Sequence, residues 1–282
     1  MLIRNVAPFD GSSTCFETGN RRYMAKELHL VNWNVNGIRS IIKKDFVSDV
    51  KQMDPDIFCL QETKAAAEEV RSALELFPGY HVYVNSSKAR KGYSGTAILS
   101  KEEPIQVTYD MGVEAYDQEG RVITAEYATH FVVTVYTPNA GEGLARLDYR
   151  EEWDKEFLNY LQWLDRRKPV IACGDFNVAH QPIDIARAKE NYNKSAGYTQ
   201  REIDGFTRLL EAGFVDTFRR FYPETVKYTY WNYLFNARAK NTGWRIDYFL
   251  VAERLFGKVK DAAVYDHYLG SDHCPVALKI EL

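Results

Sequence analysis

Six strand-like runs of this sequence end in carboxylates, amides or an imidazole, the groups that bind cations and move protons. Asn34 and Asn36 follow the first run, Gln61 and Glu62 the next, then come Tyr136 with Asn139 and Asp175 with Asn177. Asp247 and the pair Asp272–His273 complete the set. The oxygen donors Glu62, Asp175, Asp272, Asn34, Asn36 and Asn177 come without thiolates and with one imidazole. That census suits magnesium, with manganese as a substitute, because such ions prefer oxygen ligands and keep several waters; calcium is also compatible, and zinc is disfavoured. Magnesium commonly binds through one or two protein carboxylates together with the phosphates of a substrate.

Taken singly, an Asn or Asp after a strand most often satisfies its local backbone. Glu62 resists that reading. It follows the apolar run IFCLQ directly, where an unpaired carboxylate is costly without a cation or donors. A lone His273 would ordinarily be a turn or core residue, but an Asp247 carboxylate from another strand could fix its tautomer and orientation. Tyr228, Tyr230, Trp231, Tyr233, Phe235 and Trp244 alternate with Lys227, Arg238, Lys240 and Arg245. Core packing must take some of these rings, and the basic interleaving predicts that others face a groove suited to phosphates, sugars and bases. Lys88, Arg90 and Lys91 form a second basic loop, whose plain reading is solvated surface.

Groups so far apart in the chain need rigid elements to bring them together. The 282 residues, 45% hydrophobic and 27% charged, are enough for one large core or two small ones, and a net charge of −3 leaves any polyanion to a local basic face. Twelve runs have strand character: LHLVNWNV, PDIFCLQE, YHVYVNSS, GTAILS, IQVTYDM, RVITAEY, FVVTVYT, KPVIACGDF, KYTYWNY, RIDYFLV, KDAAVY and PVALKIEL. Between them, Ile38, Ile41, Ile42, Phe46, Val50 and Met53 make one helical stripe, and Leu147, Trp153, Phe157, Leu161 and Leu164 mark a long helix over about 144–166. Thr199 with Glu202 predicts a capping box for a helix closed by Gly213. Helices interspersed with paired strands predict one α/β domain over 28–282, preceded by a loose tail over 1–27. An echo between VNWNVNG and IACGDFNVA suggests two similar halves. The four cysteines include no close pair and are assigned no chemistry. No apolar stretch is long enough for a membrane span and no secretory signal is evident, so the expectation is an intracellular protein.

Six blocks in order, WNVNG, LQETK, YTPNAG with GLARLDYR, CGDFNVAH, NARAKNTGWRIDYF and GSDHCP, resemble the exonuclease III type of apurinic/apyrimidinic endonuclease from about residue 28 onward. The resemblance implies a four-layered α/β sandwich in which two packed mixed β-sheets are flanked by helices. It also implies a magnesium-dependent nuclease that cuts 5′ to an abasic site, leaving a 3′-hydroxyl and a 5′-deoxyribose phosphate, with 3′–5′ exonuclease and 3′-end-cleaning activity.

Carried over by position, Glu62 would be the principal metal ligand, with Asn34, Asn36 and Asp272 near the metal or its waters. Asp175 would prepare the attacking water and Asn177 hold it or a phosphate oxygen. Tyr136, Asn139 and His273 would contact the phosphate, with Asp247 orienting the histidine. Tyr230, Trp244 and Ile246 would form the pocket for an extruded abasic sugar, Arg146 a phosphate contact, and Leu234 with Phe235 a wedge in the duplex. Two departures stand out: Glu142 occupies a loop position that is basic in animal members, and Ser195 stands where some members place an asparagine. The implied partner is double-stranded DNA with an abasic site or blocked 3′ end, bound by a monomer in the cytoplasm of a prokaryote or the nucleus of a eukaryote. Rival readings are a non-specific deoxyribonuclease, a phosphatase built on the same sandwich, or an inactive DNA-binding protein.

Overall fold

The structure, a computed structural model, describes residues 26–282. The strands are β1 Glu27–Asn34, β2 Ile57–Gln61, β3 His81–Asn85, β4 Thr96–Ser100, β5 Gln106–Tyr109 and β6 Val122–Glu126, then β7 Phe131–Tyr136, β8 Val170–Asp175, β9 Phe214–Asp216, β10 Asp247–Ala252, β11 Val259–Val264 and β12 Val276–Glu281. The helices are α1 Ile38–Ile41, α2 Phe46–Met53, α3 Ala67–Leu74, α4 Leu147–Asp165, α5 Ala188–Asn191, α6 Gln200–Glu211, α7 Thr217–Phe221 and α8 Glu253–Phe256. The tail expected over 1–27 lies outside the described residues up to position 25. Glu27, assigned to it, is already strand, paired with Glu281 of β12.

Two six-stranded sheets form, in the orders β11-β12-β1-β2-β4-β3 and β5-β6-β7-β8-β10-β9. Each contains one parallel pair, β1 with β2 and β7 with β8, among antiparallel neighbours. Read in the same direction, the two orders share one pairing pattern in which β1–β4 are matched in chain order by β7–β10, so the sheets are halves of like topology, but the echo between VNWNVNG of β1 and IACGDFNVA of β8 joins strands that do not correspond.

Alternation along the strands separates three apolar layers. Leu30 of β1, Ile57 and Cys59 of β2, Ile171 and Cys173 of β8 and Val251 of β10 meet between the sheets. Val31 and Trp33 of β1 point the other way and pack with Ile38, Phe46, Val50 and Val70 of the first three helices. On the far side Val133 and Ala172 pack with Trp153, Phe157 and Leu161 of α4 and Phe206 of α6. Both sheets are covered on both faces, which is why their strands read as continuous apolar runs. The result is the four-layered sandwich expected. No helix among the described residues is long and apolar enough to cross a membrane.

Three local readings change. KYTYWNY is not a strand, because Tyr230 makes only isolated bridges, to Trp244 and His273, and has no ladder partner; β propensity without a neighbouring strand does not make one. The three-residue β9 beside β10 takes the place in the second sheet and is too short to show a period. The stripe over 38–53 breaks into α1 and α2. The capping box forms as expected: Glu202 N–H donates to Thr199 Oγ1 at 3.3 Å, and Thr199 N–H to Glu202 Oε2 at 3.1 Å.

Candidate active site and metal centre

The same end of both sheets delivers the polar groups. Asp175 ends β8, Asp247 begins β10, and they are register partners in adjacent strands, so both carboxyls emerge side by side. Tyr136 of β7 is the register partner of Asp175 on the other side. Gly174 makes that packing possible: a Cβ there would lie 1.9 Å from the Val135 carbonyl oxygen. From the other sheet come Asn34 at the end of β1 and Glu62 just past β2, its partner strand. Asn36, Glu62 and Asn177 all sit at positive φ, of 46°, 53° and 49°. For non-glycine residues that backbone costs on the order of 1 kcal/mol or more each, strain of the kind that gathers at functional sites.

One ligand atom each from Glu62, Asp175 and His273 lies within 4.8 Å of the others, forming a candidate metal site among the described residues. Lys64 shows that the oxygens accept a cation, since its ammonium lies 2.5 Å from Glu62 Oε2 and 2.6 Å from Asn36 Oδ1. Burial pushes the Glu62 carboxyl up, but Lys64 and the Asn34 amide outweigh it and hold the group below its usual range. Asn34 stands behind the site as a brace: its amide donates to Glu62 Oε1 at 3.0 Å and to Asp175 Oδ2 at 2.9 Å. Its own oxygen, the atom that could ligate a cation, accepts from Asn36 N–H.

Asp175 has only 1% of its surface exposed. Burial pushes its carboxyl above the ordinary range; His273 opposes that, and Asp247 and Glu62 reinforce it. His273 Nδ1 lies 2.8 Å from Asp247 Oδ2, which also accepts from Thr229 Oγ1 at 2.6 Å, while Nε2 is 3.8 Å from Asp175. Burial works against a charged imidazole here, but Asp247 outweighs it and lifts the pKa well above its ordinary value. The dyad inferred from two distant sequence blocks is therefore formed. Burial, with the Glu62 carboxylate adding to it, keeps the Tyr136 hydroxyl protonated far above its usual range. Asn177 is held on both sides, accepting from Asn139 Nδ2 at 3.0 Å and donating to Thr137 O at 2.9 Å.

A cavity of about 430 Å³ opens on this cluster, and Tyr230, Trp244 and Ile246 form its wall together with Ser195. Asn36, Tyr136, Asn139, Asp272 and His273 also line it. Five expected residues do not: Asn34, which braces the carboxylates, Phe235, which lines an adjoining cavity, and Asp247, Arg146 and Leu234. Asp247 lies behind His273. Arg146 is engaged with Glu119 at 3.0 Å and the Tyr93 hydroxyl at 2.9 Å, and Leu234 lines an adjoining cavity.

The basic residues among the aromatics are mostly spoken for, contrary to the expectation that they face a groove. Arg245 is buried between Asp184 and Asp216, at 2.8 and 2.7 Å. Lys227 pairs with Asp266, and Arg238 donates to the carbonyls of Ser271, Asp266 and Tyr268. Lys88 likewise pairs with Asp110 at 2.8 Å.

Two contributors went unassigned from sequence. Lys64 lies in LQETK, two positions after Glu62, and that closeness was its only signal. Arg150 of α4 is 2% exposed and donates to the backbone oxygens of Pro138, Phe176 and Asn177, at 3.0, 2.9 and 3.2 Å, tying together the loops that carry Asn139 and Asn177. A charged residue on the apolar stripe of α4 was the clue, since a buried guanidinium must find acceptors.

The chain matches the Endonuclease/Exonuclease/phosphatase family over residues 31–273. It is 52% identical over 257 residues to an exodeoxyribonuclease of Bacillus subtilis, covering 90% of this chain and 100% of that protein. It is 50% identical over 256 residues to the DNA repair nuclease APEX1 of Danio rerio, covering 90% and 82%. The structure of an AP endonuclease from Archaeoglobus fulgidus superposes with a TM-score of 0.82 at 30% identity, covering 90% of this chain and 100% of that one. The chain belongs to the endonuclease/exonuclease/phosphatase family, among its exonuclease III type apurinic/apyrimidinic endonucleases.

Proposed function

We propose that this chain is a DNA repair nuclease that uses magnesium, or manganese in its place, to hydrolyse the phosphodiester 5′ to an abasic site. The products are a 3′-hydroxyl and a 5′-deoxyribose phosphate, and the same centre trims 3′ ends as a 3′–5′ exonuclease. The observation that carries the reading is the meeting of Glu62, Asp175 and His273 within 4.8 Å, beside a cavity walled by Tyr230, Trp244 and Ile246. The names of the relatives, an exodeoxyribonuclease and a DNA repair nuclease, support both activities.

The donors fit a hard, compact cation: Glu62, Asp272 and Asn36 offer oxygens, and Lys64 already places a positive charge on two of them. When bound, the metal would neutralise negative charge on the phosphodiester. Asp175, with its proton affinity raised by burial, takes the proton of the attacking water, and Asn177 and Asn139 hold that water or a phosphate oxygen. His273, protonated and steadied by Asp247, donates from Nε2 to a phosphoryl oxygen, and Tyr136 donates its hydroxyl. Tyr230, Trp244 and Ile246 accept a sugar that carries no base and exclude one that does. Arg146 contacts phosphate at the rim, Leu234 enters the duplex, and the protein acts as a monomer in which 28–282 is one catalytic unit.

The decisive assay incubates duplexes carrying an abasic analogue, a recessed end, a 3′-phosphate or deoxyuridine with the protein, with magnesium or with chelator. Incision at the abasic site that is lost with chelator and in Glu62→Gln is expected. Cutting unaffected by either change would remove the proposed centre, and turnover of a lipid phosphate ester instead would favour the phosphatase reading.

A further inference from the structure

A second cavity, of about 460 Å³, adjoins the first and shares Asn232 and Trp244 with it. The two differ in charge. The first presents three carboxylates, Glu62, Asp175 and Asp272, beside Lys64 and His273, whereas the second has no carboxylate in its lining and presents Arg187 and Lys240. Both cations are exposed, and neither side chain has a hydrogen-bonded or ion-paired partner among the described residues, unlike Lys227, Arg238 and Arg245 nearby. Aromatic surface completes the lining: Trp244 forms the shared wall, and Phe235 is 86% exposed on backbone at φ 59°. Exposing a whole phenyl ring and holding it in the left-handed region both cost free energy, and no packing partner repays either.

Unpaired cations beside unstacked rings, in a space within the range of roughly 300–1,000 Å³ that takes a small organic ligand, match one nucleotide unit. A base offers a flat face to the rings and its phosphate an anion to the cations. We propose that this cavity holds the nucleotide adjacent to the one in the catalytic cavity when that neighbour is unpaired, with its base against Phe235 and Trp244 and its phosphate on Arg187 and Lys240. The inference rests on the nuclease reading above and deepens it: a frayed 3′ end, whose penultimate base is free to leave the stack, gains a contact that a fully paired site lacks. The site would therefore set the balance between end-trimming and internal incision.

The test uses the full chain and duplexes with either two mismatched 3′-terminal nucleotides or an internal abasic analogue. In Arg187→Gln/Lys240→Gln, the ratio of kcat/KM on the frayed end to that on the abasic duplex is expected to fall about tenfold. The slope of log binding constant against log salt for the frayed duplex is expected to shrink by about 0.7, for the one phosphate no longer held. A ratio and slope equal to wild type would overturn the proposal. An independent arm places 2-aminopurine at the unpaired penultimate position and reads its emission on binding in chelator. Quenching in wild type that is lost in Phe235→Ser supports the site, and equal emission in both overturns it. Because this arm needs no turnover, quenching without any cleavage by the wild type in magnesium would leave the cavity standing while the nuclease reading fell.

Discussion

Asp175 and Asp184 are the same residue type, both nearly inaccessible to water, and their carboxyls are pushed in opposite directions. Asp184 accepts from Arg245 through two nitrogens and from Arg219, and although burial works to raise its pKa, those guanidiniums hold it below the ordinary value. Asp175 has only an amide, a backbone N–H and an imidazole at 3.8 Å, and burial wins. The charge near Arg245 is paired within the protein, so that region has a structural role. It holds the backbone between Trp244 and Ile246, two walls of the catalytic cavity. At the centre the charge is left short of partners, which is what an incoming cation, water and phosphate require. Burial alone does not mark a functional carboxylate; incomplete pairing does.

That contrast can be broken most sharply at Asp175. Asp175→Asn is expected to lower the incision rate by about 10²- to 10⁴-fold, the range for losing a positioned general base, while the thermal midpoint stays or rises because a poorly paired buried charge is gone. Single-turnover kinetics beside a melting curve would read both, and a variant that lost stability together with activity would contradict the division. The reverse is expected at the paired region. Arg245→Met leaves Asp184 with Arg219 and the Gln181 N–H, and Asp216 with the α7 N-cap contact from Arg219 N–H, at a cost of about 3–5 kcal/mol in urea unfolding. A loss under about 1 kcal/mol would mean the network is not the anchor of the pocket wall.

His130 is a third case, a buried group with no counter-charge. It stacks on Tyr127 with ring centroids 4.9 Å apart, its Nε2 has no partner among the described residues, and burial, with Lys168 next, lowers its pKa to about 4. The unfolded chain takes up this proton near pH 6.5 and the folded chain only near 4, so stability should fall as pH drops through that window. The loss reaches roughly 3 kcal/mol at most. His130→Phe should flatten that part of a stability–pH profile, and an unchanged slope would show that other groups carry it.

Much of this was legible before any coordinates. Eleven of the twelve strand readings correspond to observed strands: two-sided burial leaves continuous apolar runs in the central ones, and β-branched and aromatic residues mark the more exposed β3, β5 and β11. The capping box needs only residues three apart, and motif order alone pointed to the family. KYTYWNY misled because propensity describes one chain and a strand needs two. Lys240 and Arg245, alike in sequence, end in opposite environments, one open to a cavity and the other buried 61 residues away in sequence from the carboxylate it meets.

The sequence by itself determined the chemical types available at the strand ends, the local elements and the family. Tertiary structure decided which charges are neutralised. Asn34 came to brace Glu62 and Asp175, Lys64 took a place on Glu62, Arg150 tied loops together, and two cavities that differ in charge came to share one indole. The reason is physical: a residue's propensity is set by its own atoms and near neighbours, but its electrostatic state is set by desolvation and by groups that only the packing of two sheets brings within a few ångströms.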